Sequence, residues 1–272
     1  MFEEFYGMSH TPFTRNLPPD ALYESDSISE AFGRLTYSIE NREFVVLTAD
    51  SGCGKSTQIR KLKAVLPADK YLLLYLSDSK LTPRWLYSGF LEQLNIAPRF
   101  YRGDAKRQLQ KEIATIRNKE GRKVICVLDE AHLLDRETLE EFRFLLNCDC
   151  DSASPMMLIL SGQTELWDEK LRLRSYTAIR ERVDLFITLP RLDRAETDAY
   201  IGSHLKYAGC GKEIFSEDAV DEIYRKTSGV MRSINRICEK CLMYGAQQSR
   251  RIVDGYIVRH ICEHEMLGGG DV

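Results

Sequence analysis

The stretch VVLTADSGCGKSTQIRKL, residues 45 to 62, constrains the fold of this chain more than any other. An apolar run ends in a string of small residues, and Gly54-Lys55-Ser56-Thr57 then opens a helical pattern. A glycine-rich turn between a strand and a helix is the setting of a phosphate-binding loop. The glycines let successive N–H groups turn toward phosphate oxygens, and the helix N-terminus adds its dipole. Ala49, Asp50, Ser51, Gly52, Cys53, Gly54, Lys55, Ser56 and Thr57 are therefore the candidate nucleotide-binding residues. Lys55 is expected to reach the β and γ phosphates of ATP, and Ser56 to hold Mg²⁺. Ala49 stands where the pattern has its first glycine.

The partner motif follows 74 residues after Lys55 in VICVLDEAHLL, where an apolar run ends at Asp129-Glu130. A carboxylate at the tip of such a strand holds Mg²⁺ through its water shell, which assigns Asp129. Glu130 beside it is placed to polarise an attacking water as general base. In LILSGQTEL, Ser161 and Gln163 fall at the carboxyl edge of the next strand, where a polar side chain senses the γ-phosphate or orients water. Gln163 is the preferred candidate.

Around these motifs, short segments rich in Val, Ile and Leu read as strands over 43–49, 71–77, 124–130, 156–162 and 185–190. Their near-continuous apolar character fits parallel strands covered on both faces. Helical patterns alternate with them over 55–66, 82–95, 105–120, 136–147 and 165–181, which implies an α/β fold with right-handed crossovers. After Pro190 the pattern becomes all-helical, over 194–208, 216–227, 231–247 and 254–266. A boundary near residue 191 follows, with a P-loop α/β domain over 1–190, including an N-terminal extension, and a helical lid over 191–272.

The formal net charge of −3 does not mark a nucleic-acid binder, but the charge is unevenly spread. Residues 99–123 hold nine Lys or Arg against three Asp or Glu, and residues 222–259 hold eight against three. No apolar window of membrane-spanning length and no signal-peptide layout is found, so a cytoplasmic location without a membrane partner is expected. The eight cysteines lie mostly within expected helices and strands and read as reduced thiols. Cys238, Cys241 and Cys262 read as core residues rather than zinc ligands, because their spacing matches no usual finger. Tyr6, Phe13 and Tyr23 fit a core role.

With both motifs and a helical lid in place, the chain resembles the AAA+ ATPases. The resemblance implies a parallel five-stranded sheet flanked by helices, followed by a small all-helical lid. It also implies an adenine contact for Tyr6, Phe13 and Tyr23, as the equal alternative to their core role. TSGVMRSIN resembles the second sensor of that family, with Arg232 on the first turn of a lid helix, aimed back at the phosphates. YTAIRERVDLFITLP matches the place of the family's arginine finger, for which Arg182 is preferred and Arg180 is the alternative. Such an arginine completes the site of a neighbouring subunit, so the resemblance implies a homo-oligomer, a ring or helical filament, that hydrolyses ATP between protomers.

FYGMSHTPF, LYESDSISEAFGRLTYSIE, LDEAHLL, LSGQTEL and TSGVMRSIN together narrow the likeness to the ExeA-type ATPases. One branch of that group serves secretion and carries a membrane segment and a peptidoglycan-binding domain after the ATPase. The other accompanies DDE transposases and is similar to TnsC, TniB, MuB and IstB. The short, lid-terminated form favours the second branch: an ATPase that oligomerises on duplex target DNA and recruits or activates a DDE transposase. Arg99, Arg102, Lys106 and Arg107, beside Phe100 and Tyr101, are then the expected contacts to the duplex backbone. The alternatives are an ExeA-like accessory ATPase of secretion acting on a cell-envelope partner, or a nucleotide-gated adaptor that hydrolyses little.

Overall fold

The structure, a computed structural model, describes residues 2–78, 81–146 and 154–265. The chain divides into two compact units. One comprises Ser27–Asp50 and Lys55–Leu189, and the other comprises Met1–Asp26, Ser51–Gly54 and Pro190–Val272.

The first unit is built on five parallel strands, β1 (Phe44–Thr48), β2 (Tyr71–Leu76), β3 (Lys123–Leu128), β4 (Met157–Gly162) and β5 (Leu185–Thr188), in the order β2-β3-β4-β1-β5. All five fall where the apolar runs place them. β1 and β4 are buried along their whole length, whereas β2 forms one edge and is only partly covered. Parallel pairing requires crossovers, and the intervening helices α3 (Lys55–Val65), α4 (Pro83–Gln93), α5 (Arg102–Thr115) and α6 (Arg136–Leu146) supply them. β4 lies between β1 and β3, so the strand that ends in the glycine-rich loop and the strand that ends at Asp129 are not neighbours.

Two departures from the sequence pattern stand out in this unit. A helix of 16 residues, α2 (Asp26–Asn41), precedes β1 where no element was expected. It buries Ile28, Ala31, Leu35, Ser38 and Ile39, a spacing that brings one face onto the unit. The continuous helix expected over 165–181 is instead a wide π-type turn at Leu166–Leu171, a 3₁₀ turn at Arg174–Tyr176 and the short helix α7 (Thr177–Arg180). Arg180 explains how the break is tolerated. Its guanidinium donates to the carbonyls of Leu171 and Arg172 at 3.1 and 2.8 Å, supplying partners the interrupted helix no longer provides.

The second unit is helical, with α1 (Phe2–Tyr6), α8 (Arg194–Tyr207), α9 (Glu217–Thr227), α10 (Met231–Gln247) and α11 (Gly255–His264). Asp193 caps α8 in a reciprocal capping box with Glu196, and Asp254 caps α11 by accepting from Ile257 N–H at 3.0 Å. Ser216, at the N-cap position of α9, makes no side-chain cap bond and donates its hydroxyl to the Val253 carbonyl at 3.0 Å, tying the start of α9 to the start of α11.

The N-terminal residues pack within this helical unit. Phe13 stacks on His204 at a centroid distance of 5.0 Å, and Tyr23 meets Tyr200 edge-on at 5.7 Å. The Tyr6 hydroxyl donates to the Arg250 carbonyl at 3.0 Å, and burial pushes it up to about 12. Cys238 and Cys241 are fully buried on α10 as free thiols, and Cys262 is a free thiol on α11. No metal-binding cluster of His, Cys, Asp and Glu occurs among the described residues. No described helix is long and apolar enough to cross a membrane.

Candidate nucleotide-binding site

The loop after β1 has the backbone its sequence demands. Gly52 and Gly54 both take φ of +88°, a conformation that L side chains rarely adopt. A Cβ on Gly52 would stand 2.8 Å from Arg232 Cβ, so glycine is required there for space as well as for conformation. Ala49, in the place of the pattern's first glycine, is fully buried and donates its N–H to the Gly162 carbonyl at 3.3 Å. Cys53 is also buried, at 1% exposure, which closes its thiol to bulk reagents in this conformation.

α3 begins at Lys55, so its unpaired N–H groups open onto the loop. The Lys55 side chain is 7% exposed and its ammonium donates to the carbonyls of Ala49 and Asp50 at 2.7 and 3.2 Å. The loop's own oxygens thus hold the cation in place. One residue on, Ser56 Oγ donates to Asp129 Oδ2 at 2.9 Å.

Asp129, at the end of β3, is the best-connected side chain of the site. Oδ2 also accepts from the Tyr75 hydroxyl at 2.6 Å, while Oδ1 accepts from Ser161 Oγ at 2.7 Å and from Glu130 N–H at 3.0 Å. Burial raises this carboxyl, but the bonds from Tyr75, Ser161, Ser56 and Glu130 outweigh it and hold it below the ordinary range. Desolvation, with the Asp129 hydrogen bond and charge added, pushes the Tyr75 phenol well above its usual value and keeps it a donor. Ser161, set aside in favour of Gln163 as a sensor, serves Asp129. Tyr75 carried no motif at all, and only the pairing of β2 with β3 brings it there.

Glu130 follows with φ of +54°, the left-handed region that is uncommon outside glycine. Its N–H bond to Asp129 and the 3₁₀ turn Ala131–Leu133 behind it hold this conformation. The turn carries the Glu130 side chain outward, where it is 45% exposed and 3.6 Å from His132 Nδ1. His132 in turn contacts Gln163 at the tip of β4 twice. A buried, ionised Asp129, a hydroxyl beside it and a half-exposed carboxylate one residue on form an oxygen-rich donor set that suits a hard divalent cation.

In the helical unit, Gly229 takes φ of +78° after α9, and a Cβ there would overlap the Leu192 carbonyl. This close approach sets the entry to α10, whose first turn carries Arg232. Arg232 Nη1 reaches Ser51 Oγ at 3.3 Å and its N–H donates to the Gly52 carbonyl at 3.2 Å. Arg182 is partly buried in the turn between α7 and β5, its N–H donating to the Ile179 carbonyl at 2.9 Å.

The basic segment behaves differently from its local composition. Arg102 pairs with Glu137 at 2.7 Å and with the buried Glu141, Lys106 pairs with Glu141 at 3.3 Å, and Arg107 pairs with Asp104 at 2.5 Å. Arg99 is exposed, as are Phe100 and Tyr101 at 70 and 71%, and the Arg84 guanidinium lies 4.5 Å from the Phe100 ring.

A parallel sheet in this order, a glycine-rich phosphate loop after β1 and an acidic pair after β3 define an AAA-type P-loop ATPase domain, a nucleotide-binding module with the AAA+ fold. Residues 38–169 match the family model described as the AAA domain. The chain is 31% identical over 265 residues to General secretion pathway protein A of Aeromonas hydrophila, a match covering 94% of this chain and 47% of that protein. It thus spans about half the length of that relative. Cdc6p from Pyrobaculum aerophilum superposes with a TM-score of 0.72 at 16% identity, over 95% of this chain and 71% of the other. The Drosophila ORC structure bound to DNA gives 0.67 at 19% identity, over 98% and 65%. At such identities these two structures establish the fold.

Proposed function

We propose that this chain is a Mg²⁺-dependent ATPase module of the General secretion pathway protein A kind, whose nucleotide cycle drives action on a cell-envelope partner. The 31% identity over nearly the whole chain is what carries the secretion reading over a transposition role. The convergence of four hydrogen bonds on Asp129, 2.9 Å from Ser56, carries the hydrolytic one.

In this reading Lys55 exchanges its two loop carbonyls for the β and γ phosphate oxygens, a charge-assisted contact stronger than the one it leaves. Ser56 and Asp129 would hold Mg²⁺, which when bound would neutralise charge developing on the phosphate oxygens. Glu130 takes a proton from the attacking water as that oxygen bonds to the γ-phosphorus and the bond to the β–γ bridging oxygen breaks, leaving ADP and phosphate. Gln163 orients the water or reads the γ-phosphate. Arg232 answers phosphate charge at the loop residues it already touches, and Arg182 acts on the site of a neighbouring copy in a homo-oligomer. Arg180 is the alternative; its guanidinium donates to the Leu171 and Arg172 carbonyls of its own chain.

A second reading, oligomerisation on duplex DNA in partnership with a DDE transposase, draws on the exposed Arg99, Phe100 and Tyr101 beside Arg84. Arg102, Lys106 and Arg107 contribute less to it, since carboxylates already answer their charge.

Sedimentation with a slowly hydrolysed ATP analogue, with and without linear duplex DNA, separates the two readings. Nucleotide-dependent assembly that ignores DNA is expected. Assembly that requires DNA, and is lost in an Arg99→Ala, Phe100→Ala, Tyr101→Ala variant with a shallower salt dependence, would return the target-DNA reading to first place.

A further inference from the structure

We infer that His132 is a positioning residue for ATP hydrolysis, holding Gln163 at the tip of β4 while leaving Glu130 unbound. The inference rests on the reading that Glu130 and Gln163 act in hydrolysis.

The geometry is local and specific. Gln163 N–H donates to His132 Nδ1 at 3.3 Å. A backbone N–H cannot reverse its role, so Nδ1 is an acceptor and the neutral ring carries its proton on Nε2. The Gln163 amide nitrogen lies 3.1 Å from His132 Nε2. Oxygen and nitrogen of an amide are interchangeable by a half-turn, and a protonated Nε2 selects the oxygen. The ring therefore grips Gln163 at both its backbone and its side chain, and fixes which face the amide shows to the site.

Two further features make this grip rigid. A Cβ on Gly162 would stand 3.1 Å from His132 N and 3.1 Å from Leu166 Cδ2, so β4 approaches the 3₁₀ turn so closely that a side chain there would push its neighbours by a few tenths of an ångström. The His132 side chain is itself only 10% exposed. Glu130 Oε2 lies 3.6 Å from Nδ1, but both atoms are acceptors and no bond joins them. The carboxylate consequently stays turned toward solvent, able to take a proton from water.

The test is a double-mutant cycle on the full chain with His132→Ala, Gln163→Ala and the double variant, reading kcat, KM for ATP and affinity for a slowly hydrolysed analogue. We expect His132→Ala to lower kcat about tenfold with KM and analogue affinity within about twofold, because the lost interaction acts on the chemical step. The double variant should be within about twofold of Gln163→Ala alone, since the ring has nothing left to position. Unchanged kcat in His132→Ala, or losses that multiply in the double variant, would overturn the proposal. If His132→Ala fails to fold, His132→Asn, which retains an acceptor, enters the same cycle and is expected to keep most of kcat in the Gln163 background; a loss that persists undiminished with Gln163→Ala overturns the proposal there too. A Glu130→Gln variant that hydrolyses ATP as fast as wild type would instead strike at the hydrolysis reading itself.

Discussion

Ser56 on the first turn of α3 donates its hydroxyl to Asp129 at the end of β3 across 2.9 Å, although β4 separates β3 from β1 in the sheet. That single bond joins the two halves of the phosphate site. It also explains why Asp129 stays ionised despite 4% exposure, because Ser56, Tyr75, Ser161 and the Glu130 N–H together replace the water it has lost.

Asp129 should therefore contribute to stability as well as to nucleotide binding. Its folded value lies below the ordinary one, so its contribution is fully present above about pH 3.9 and is lost as pH falls through the folded value. Urea denaturation at pH 7 and pH 3 is expected to show a shallower acid loss for Asp129→Asn than for wild type. Equal acid loss in the two proteins would contradict this.

His204 acts in the same direction through a different chemistry. It is 3% exposed, accepts from Phe13 N–H through Nδ1 at 3.0 Å, and burial lowers it to about 4. Protonation is thus easier in the unfolded chain, and stability present above about pH 6.5 should decline toward pH 4 by roughly 3 kcal/mol. His204→Gln, which can keep an acceptor toward Phe13, should be less stable at pH 7 but should flatten the decline between pH 7 and pH 5 in thermal melts.

Gly229→Ala tests the turn that leads into α10. The positive φ and the overlap of the new methyl with the Leu192 carbonyl should together cost more than about 2 kcal/mol. Chemical denaturation measures that loss, and a variant within about 0.5 kcal/mol of wild type would show that the turn relaxes freely.

Arg180 and Arg182 should separate cleanly. Arg180→Ala removes the donor that serves the Leu171 and Arg172 carbonyls, so a loss of about 1–3 kcal/mol in stability is expected. Arg182→Ala should retain nucleotide affinity and lose rate, by up to about 10³-fold if it completes a neighbour's site. Thermal melts and steady-state turnover on both variants distinguish the two roles.

The strands were legible because a parallel strand buried on both faces must be apolar along its whole length, as Phe44–Thr48 is. The phosphate loop was legible because its glycines, Lys55 and Ser56 sit at fixed spacing next to such a strand. α2 was hidden by its Ser, Thr and Glu content, although Ile28, Leu35 and Ile39 mark its buried face. The break within 165–181 depends on Arg180 reaching back to carbonyls eight and nine residues earlier, which helical periodicity does not register. Counting charge over 99–123 missed Glu137 and Glu141, which arrive from α6 to pair with Arg102 and Lys106. The contacts of His132 with Gln163 and of Tyr75 with Asp129 are likewise products of strand order rather than of sequence proximity.

Lys55 and Glu130 serve the same nucleotide at different steps in the proposed cycle, and phosphate release from saturating Mg-ATP, measured with analogue affinity on wild type, Lys55→Ala and Glu130→Gln, separates those steps. Lys55→Ala should lose affinity by about 10- to 150-fold, the worth of a charge-assisted bond, while Glu130→Gln should bind as wild type does and turn over at least about 100-fold more slowly. A Glu130→Gln protein that still hydrolyses ATP at the wild-type rate would contradict the proposed cycle.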